Sequence, residues 1–221
     1  GLSLLFSAVL VIVIINTNYS YKRYVSKYND SILGVISEIK EIFKDYDVLS
    51  IKDMENILGK KITVSENNDT YKDNALEKVR DLYEQIGKKY ICIADDSGIS
   101  IDILNGFPGV HTARWLDADD HIKNLELLKK VGNTVKEKRK CHYTTVIALK
   151  NKNFEETFEY VLSGIVSDVS RGENGFGFDE IFELSNGKTL AEISTIEKLK
   201  LSPRKEALDM ANRYLMKFKT E

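Results

Sequence analysis

The chain has 221 residues, 43% hydrophobic and 30% charged, with a formal charge of −2. That composition is ordinary for a folded chain and excludes long disorder, while the slightly acidic balance excludes the broad basic surface of a duplex nucleic-acid binder. Cys92 and Cys141 both lie in apolar runs, so neither a disulfide framework nor a zinc site is expected, and a reducing cytoplasm suits them.

The length suits a single α/β domain over 1–221, with a possible short hydrophobic extension at 1–8. Leu4 to Ile15 is almost unbroken apolar sequence of about twelve residues, short of the ~20 that a membrane-spanning helix needs. Neither the basic n-region nor the small-residue cleavage site of a signal peptide accompanies it. The β-branched run Val9 to Ile15 instead predicts a strand buried on both faces, as in a parallel sheet, with a truncated membrane anchor as the alternative.

A polar stretch from Asn16 to Asp30 follows, then a helical pattern carrying Ile36, Ile39, Ile42 and Phe43 on one face. Tyr46 to Ile51 and Ile62 to Val64 read as short strands. Tyr71, Ala75, Leu76, Val79, Leu82, Tyr83 and Ile86 fall at helical spacing, between a cap at Asp69 or Thr70 and a terminating Gly87. Tyr90 to Ala94 predicts a central strand that ends in an Asp95-Asp96-Ser97-Gly98 turn, with Ile99 to Leu104 as the next strand. A helix is expected from about Asp119 to Lys136, burying Ile122, Leu125, Leu128 and Val131. Cys141 to Leu149 and Phe154 to Val166 flank Asn151-Lys152-Asn153 as a hairpin, and Ser202-Pro203 opens a last helix with a cap and an N1 proline.

Two adjacent carboxylates at the end of a buried strand are costly unless neutralised, and a hard cation with oxygen ligands does so; Mg2+ fits Asp95 and Asp96. Ser97 and Gly98 add a hydroxyl and a close backbone approach that suit a phosphate beside the metal. The competing reading is a plain Asx turn. Glu66 and Asn74 flank the preceding helix and either face the same cleft or serve as helix caps. The glycine-rich run Gly172 to Asp179 offers Phe176 and Phe178 to stack a purine, or is a structural loop. Lys198, Ser202, Arg204 and Lys205 gather cations at a helix start, where they suit a triphosphate or form a solvated basic face. His111, His121 and His142 show no metal-ligand spacing and read as structural.

In order along the chain, Asp73-Asn74-Ala75, Ile93-Ala94-Asp95-Asp96-Ser97-Gly98, Leu104-Asn105-Gly106-Phe107-Pro108-Gly109-Val110 and Ala113-Arg114-Trp115 precede three further motifs. These are Asn174-Gly175-Phe176-Gly177-Phe178-Asp179, Thr189-Leu190-Ala191-Glu192 and Glu197-Lys198. Together they resemble the inosine triphosphate pyrophosphatase family. The resemblance implies a mixed, elongated α/β fold, with flanking helices and two lobes around a central nucleotide cleft. It also implies a homodimer that cleaves ITP, dITP or XTP to the monophosphate and pyrophosphate; the charge balance and the short apolar run argue separately against nucleic-acid and membrane partners. Asp96 would be the catalytic base or metal-anchoring carboxylate, and Asp95 and Glu66 would support magnesium. Ser97 would touch phosphate, Phe176, Gly177, Phe178 and Asp179 would hold the base, and Lys198 and Arg204 would balance developing charge.

The family's phosphate loop after the first strand maps onto Thr17, Asn18 and Lys22, without the family's glycine. An alternative register uses Gly34-Val35-Ile36-Ser37-Glu38-Ile39. Pro203 stands where the family carries a base-contacting histidine. A weakened nucleotide-binding homologue and a pyrophosphatase for another modified nucleotide are the alternatives.

Overall fold

The computed structural model describes residues 11–16 and 39–218. Its strands are β1 Val11–Asn16, β2 Tyr46–Ser50, β3 Ile91–Ile101, β4 Lys140–Lys150, β5 Glu155–Val166 and β6 Phe182–Glu183. The α-helices with both ends described are α1 Ile51–Leu58, α2 Tyr71–Ile86, α3 Asp120–Val131, α4 Thr195–Lys200 and α5 Pro203–Met216. The strands form one sheet in the order β2-β1-β3-β4-β5-β6, so the fold class is mixed α/β as the sequence implies. β1 runs antiparallel to both β2 and β3, where a parallel sheet was expected. A single strand buried in either kind of sheet carries the same apolar run, so β1 could not declare its partners' direction.

The chain divides into two compact units, and among the described residues the divisions fall inside β3, β4, β5 and α5, at Asp96/Ser97, Thr145/Val146, Glu159/Tyr160 and Lys205/Glu206. The unit containing Asp96 buries both faces of its strands. Cys92 and Ala94 of β3, with Val146 and Ala148 of β4, meet Ala75, Val79, Leu82 and Ile86 of α2 and Met54 of α1. Ile93, Ile147 and Leu149, the intervening positions, meet Ala207, Leu208, Ala211 and Leu215 of α5, together with Ile39 and Phe43. This is the two-residue alternation of a pleated strand covered on both sides. Local chemistry sets the helix limits. Thr70 Oγ1 accepts from the Asp73 amide at 3.0 Å to start α2, and Gly87, at φ 92°, ends it. Ser50 and Asp53 form a reciprocal capping box on α1, and Ser202 Oγ accepts from the Lys205 amide beside Pro203 at the first turn of α5.

The unit containing Asp179 centres on Ile99 and Ile101 of β3, Tyr143 of β4, Leu127 and Val131 of α3, and Phe178 and Phe182. The expected β4–β5 hairpin forms, with Asn151 Oδ1 accepting from the amides of Asn153 and Phe154. Of the four residues expected to face inward from α3, Val131 is buried and Leu128 packs against the core, but Ile122 and Leu125 are 46% and 47% exposed, and Asn124 and Leu127 are fully buried in their place.

Three other expectations are corrected. Asp95-Asp96-Ser97-Gly98 is not a turn, because β3, which lies between β1 and β4 in the sheet, continues unbroken through it to Ile101. Ile99 to Leu104 is therefore the end of the same strand followed by a 3₁₀ turn at Asp102–Leu104. Ile62 to Val64 forms no strand; the Ile62 amide is taken instead by Glu55 Oε1 and the Thr63 amide by Gln85 Oε1. Thr17, Asn18, Lys22, Gly34 to Glu38 and the apolar residues before Val11 lie outside the described residues. Among the described residues, no helix is long and apolar enough to cross a membrane.

Candidate functional site

In the unit containing Asp96, a charged cluster is built where β3 meets α2. Asn74 and Lys78 lie one helical turn apart, so both reach the same side of α2. Lys78 Nζ donates to Asp96 Oδ1 at 2.8 Å and pairs with Glu66 Oε1 at 2.6 Å. Asn74 Nδ2 donates to Asp96 Oδ2 at 3.3 Å, while Asn74 Oδ1 accepts from the Asn68 amide and so fixes the loop before α2. Both oxygens of Asp96 are thus held from the helix. Strand alternation puts Asp96 on the face of Cys92 and Ala94, toward α2, and turns Asp95 to the face of Ile93.

Asn74, Lys78, Asp95 and Asp96 are nearly dry, while Glu66 is half-buried. Lys78 and Asp95 are each 2% exposed and Asp96 is 8% exposed. Burial lifts the Asp96 carboxyl to about 6, against the pull of Lys78. Burial also depresses the Lys78 ammonium, but Asp96, Asp95 and Glu66 outweigh it and hold its pKa above the ordinary value. A carboxylate whose pKa is raised toward neutral pH while it stays paired with an ammonium and an amide suits proton abstraction from water.

In the unit containing Asp179, a second cluster surrounds the Phe176–Asp179 loop. Asp179 is buried; its Oδ2 accepts from the Phe176 amide at 2.7 Å and forms an ion pair with Lys198. Burial raises the Asp179 pKa despite that lysine. Lys198 Nζ also sits 4.2 Å from the centroid of the Phe176 ring, a cation–π contact. Phe176 is 48% exposed, whereas Phe178 is 1% exposed. The Tyr143 hydroxyl accepts from the Phe178 amide at 3.3 Å, and burial together with Asp179 raises the tyrosine pKa. From α3, Asp120 Oδ2 accepts from the Gly177 amide at 2.8 Å and Asn124 Nδ2 donates to the Gly177 carbonyl at 2.9 Å.

The sequence profile of the Ham1 family matches residues 34–214. The chain belongs to the Ham1 family. A relative from Thermoanaerobacter sp., named dITP/XTP pyrophosphatase, is 42% identical over 185 residues, covering 81% of this chain and 90% of its own. One of the same name from Campylobacter jejuni is 35% identical over 187 residues, covering 80% and 89%. Among solved structures, the Ham1 protein of Staphylococcus aureus aligns with a TM-score of 0.75 at 32% identity, over 86% of this chain and 95% of that one. A HAM1 protein from Coxiella burnetii aligns at 0.73 and 27% identity, over 87% and 96%.

Within this Ham1 chain, the sequence-predicted residues are only partly brought together. Asp96 and Glu66 meet through Lys78, and Asp95 contributes its charge to that lysine. Ser97 Oγ donates to Thr145 Oγ1 at 2.9 Å. Gly177, Asp179, Lys198 and Phe176 form one cluster, but Phe178 is buried in the core and offers no face for stacking, which corrects the expectation that both rings are available to a base; Phe176 is half-exposed. Arg204 is half-buried in the first turn of α5.

Lys78, Asp120, Asn124 and Tyr143 were missed. Lys78 carried a usable signal, since it lies on the same stripe as Ala75, Val79 and Leu82, where a lysine is conspicuous.

Proposed function

We propose that this chain is a nucleoside triphosphate pyrophosphatase that hydrolyses the non-canonical purine nucleotides ITP, dITP and XTP to the monophosphate and pyrophosphate, and so cleanses the nucleotide pool. The observation that carries the reading is the dry Asp96 carboxylate, held by Lys78 at 2.8 Å and Asn74 at 3.3 Å. Its membership of the Ham1 family, among relatives named dITP/XTP pyrophosphatase, supports the reaction class.

Asp96 takes the proton of the attacking water, and Lys78 keeps that carboxylate ionised and aimed. The Phe176 ring and the backbone around Gly177 take the base, and Lys198 lends positive charge beside it. Selectivity for hypoxanthine over adenine follows if the base site presents a donor, which adenine's amino group leaves unmatched.

The donor chemistry around Asp96 fits a magnesium ion. Glu66 and Asp96 supply only oxygen ligands, with Asp95 adding charge from the opposite face of β3. Among the described residues, no group of three His, Cys, Asp or Glu side chains could hold a metal by itself. Mg2+ does not require such a group, because it keeps several waters and is held by one or two carboxylates together with substrate phosphates. When bound it neutralises phosphate charge and lowers the pKa of water. The proposal includes a homodimer acting in the cytoplasm; the free thiols of Cys92 and Cys141 accord with a reducing compartment.

The test is pyrophosphate release from ITP, XTP, dITP, ATP and dUTP, with and without Mg2+, in wild type and Asp96→Asn. The expected result is Mg2+-dependent release from the first three and a loss of about a hundredfold or more in the variant. Equal turnover of ATP, undiminished activity in Asp96→Asn, or ITP binding without release would overturn the reading.

A further inference from the structure

Gly177 is held by both of its main-chain polar groups from one helix. Its N–H donates to Asp120 and its carbonyl accepts from Asn124, residues one turn apart on α3. Asn124 is fully buried, and nearby Glu180 lies 3.1 Å from His121 and accepts from Ser170. At φ 64° Gly177 is in the left-handed region, and there the chain passes from the half-exposed Phe176 ring to the fully buried Phe178. The clamp therefore sits at the pivot that aims Phe176. No group of α3 has a part in the proton chemistry at Asp96, and its inward face carries polar side chains where leucines would pack.

We propose that Asp120 and Asn124 are positioning residues that determine nucleotide specificity, fixing the Gly177 backbone so that Phe176 and the adjacent peptide groups meet the purine base in one geometry. This rests on the reading that the Phe176–Asp179 loop takes the base. The residues act through the loop, and their removal weakens discrimination between bases without altering the bond-breaking step.

Asp120→Ala, Asp120→Asn, Asn124→Ala and Val131→Ala are compared with wild type. The measurements are steady-state kinetics with ITP and ATP, thermal melting, and hydrogen exchange of the Gly177 amide. Asp120→Ala and Asn124→Ala are expected to raise the KM for ITP about tenfold, with kcat within about twofold, and to lower the ITP/ATP selectivity by a similar factor. Asp120→Asn keeps an acceptor for the Gly177 amide and is expected to restore KM and selectivity. Val131→Ala trims the core at the far end of α3 and is expected to lower the melting temperature alone. The Gly177 amide is expected to exchange faster in Asp120→Ala.

Folded alanine variants with wild-type KM and selectivity would overturn the proposal, as would changes that Val131→Ala reproduces. Unchanged exchange at Gly177 would remove the clamp itself. If wild type releases pyrophosphate from no nucleotide, the proposed function fails and the specificity claim falls with it, while the exchange data still report separately on the clamp.

Discussion

Lys78 Nζ and Asp96 Oδ1 form an ion pair at 2.8 Å between α2 and β3, and both residues are less than a tenth exposed. Removing one partner from a buried pair strands the other charge. Lys78→Met leaves Asp96, Asp95 and Glu66 without their shared cation, and is expected to lose about 3 kcal/mol of stability at pH 7 in urea unfolding. Adding Asp96→Asn to that variant recovers about 1 kcal/mol or more, because one stranded charge goes with it; strictly additive losses would show that the pair is not coupled.

The two aromatic rings of the Phe176–Asp179 loop are expected to separate cleanly. Phe178→Ala empties a fully buried core position and costs about 3–5 kcal/mol. Phe176→Ala, at a half-exposed ring, changes stability by less than about 1 kcal/mol but raises the KM for ITP. Melting temperatures and kinetics measured on the same preparations check both halves.

Gly175 lies at φ 88°, and a Cβ there would come within 2.1 Å of Asp179 Oδ2 and 3.0 Å of Lys198 Nζ. Gly175→Ala is therefore expected to displace the Asp179–Lys198 pair and to cost about 2 kcal/mol, through both the clash and the backbone conformation. Weaker nucleotide binding should accompany the loss. An alanine variant with wild-type stability and affinity would show that the loop has another way to close.

Arg80 grips Glu155 with Nε at 3.0 and 3.1 Å from its two oxygens, and Lys150 adds a contact at 2.9 Å. The Arg80 hydrogen bonds outweigh partial burial and pull the Glu155 pKa from 4.5 to about 2. Because the folded-state pKa is the lower one, this contribution is present above about pH 4.5 and is lost as pH falls through about 2. Screening at this partly exposed site limits it to about 1 kcal/mol. Glu155→Gln should flatten the acid limb of a stability–pH curve in that window and reduce stability at pH 7.

The sequence was most legible where one residue type has one local job. Thr70, Gly87, Ser202 and Pro203 mark helix ends through their backbone chemistry, and the β4–β5 hairpin follows from its asparagine turn. It was least legible where tertiary pairing overrides local signals. Asp95-Asp96-Ser97-Gly98 has the composition of a turn, yet it lies inside β3, a continuous strand with neighbours on both sides in the sheet. The spacing of Ile122, Leu125, Leu128 and Val131 pointed to one face of α3; Leu128 and Val131 do meet the core, but Asn124 and Leu127 are buried where Ile122 and Leu125 were expected, and Asn124 there donates to the Gly177 carbonyl. The site shows the same division. Asp96 and the loop at Phe176–Asp179 could be named from motif order, whereas Lys78 and Tyr143 owe their roles to contacts across long sequence separations.

The opposed facing of Asp95 and Asp96 makes β3 a measured length as well as a composition. One residue inserted between Ile91 and Asp95 would keep every side chain yet rotate the Asp96 carboxylate to the face of Ile93, putting Asp95 on the face of Lys78. Isosteric exchange at Ile93 or Ala94 disturbs packing alone. Among relatives of this chain, the segment from Ile91 to Asp96 should therefore vary in residue identity and stay fixed in residue number.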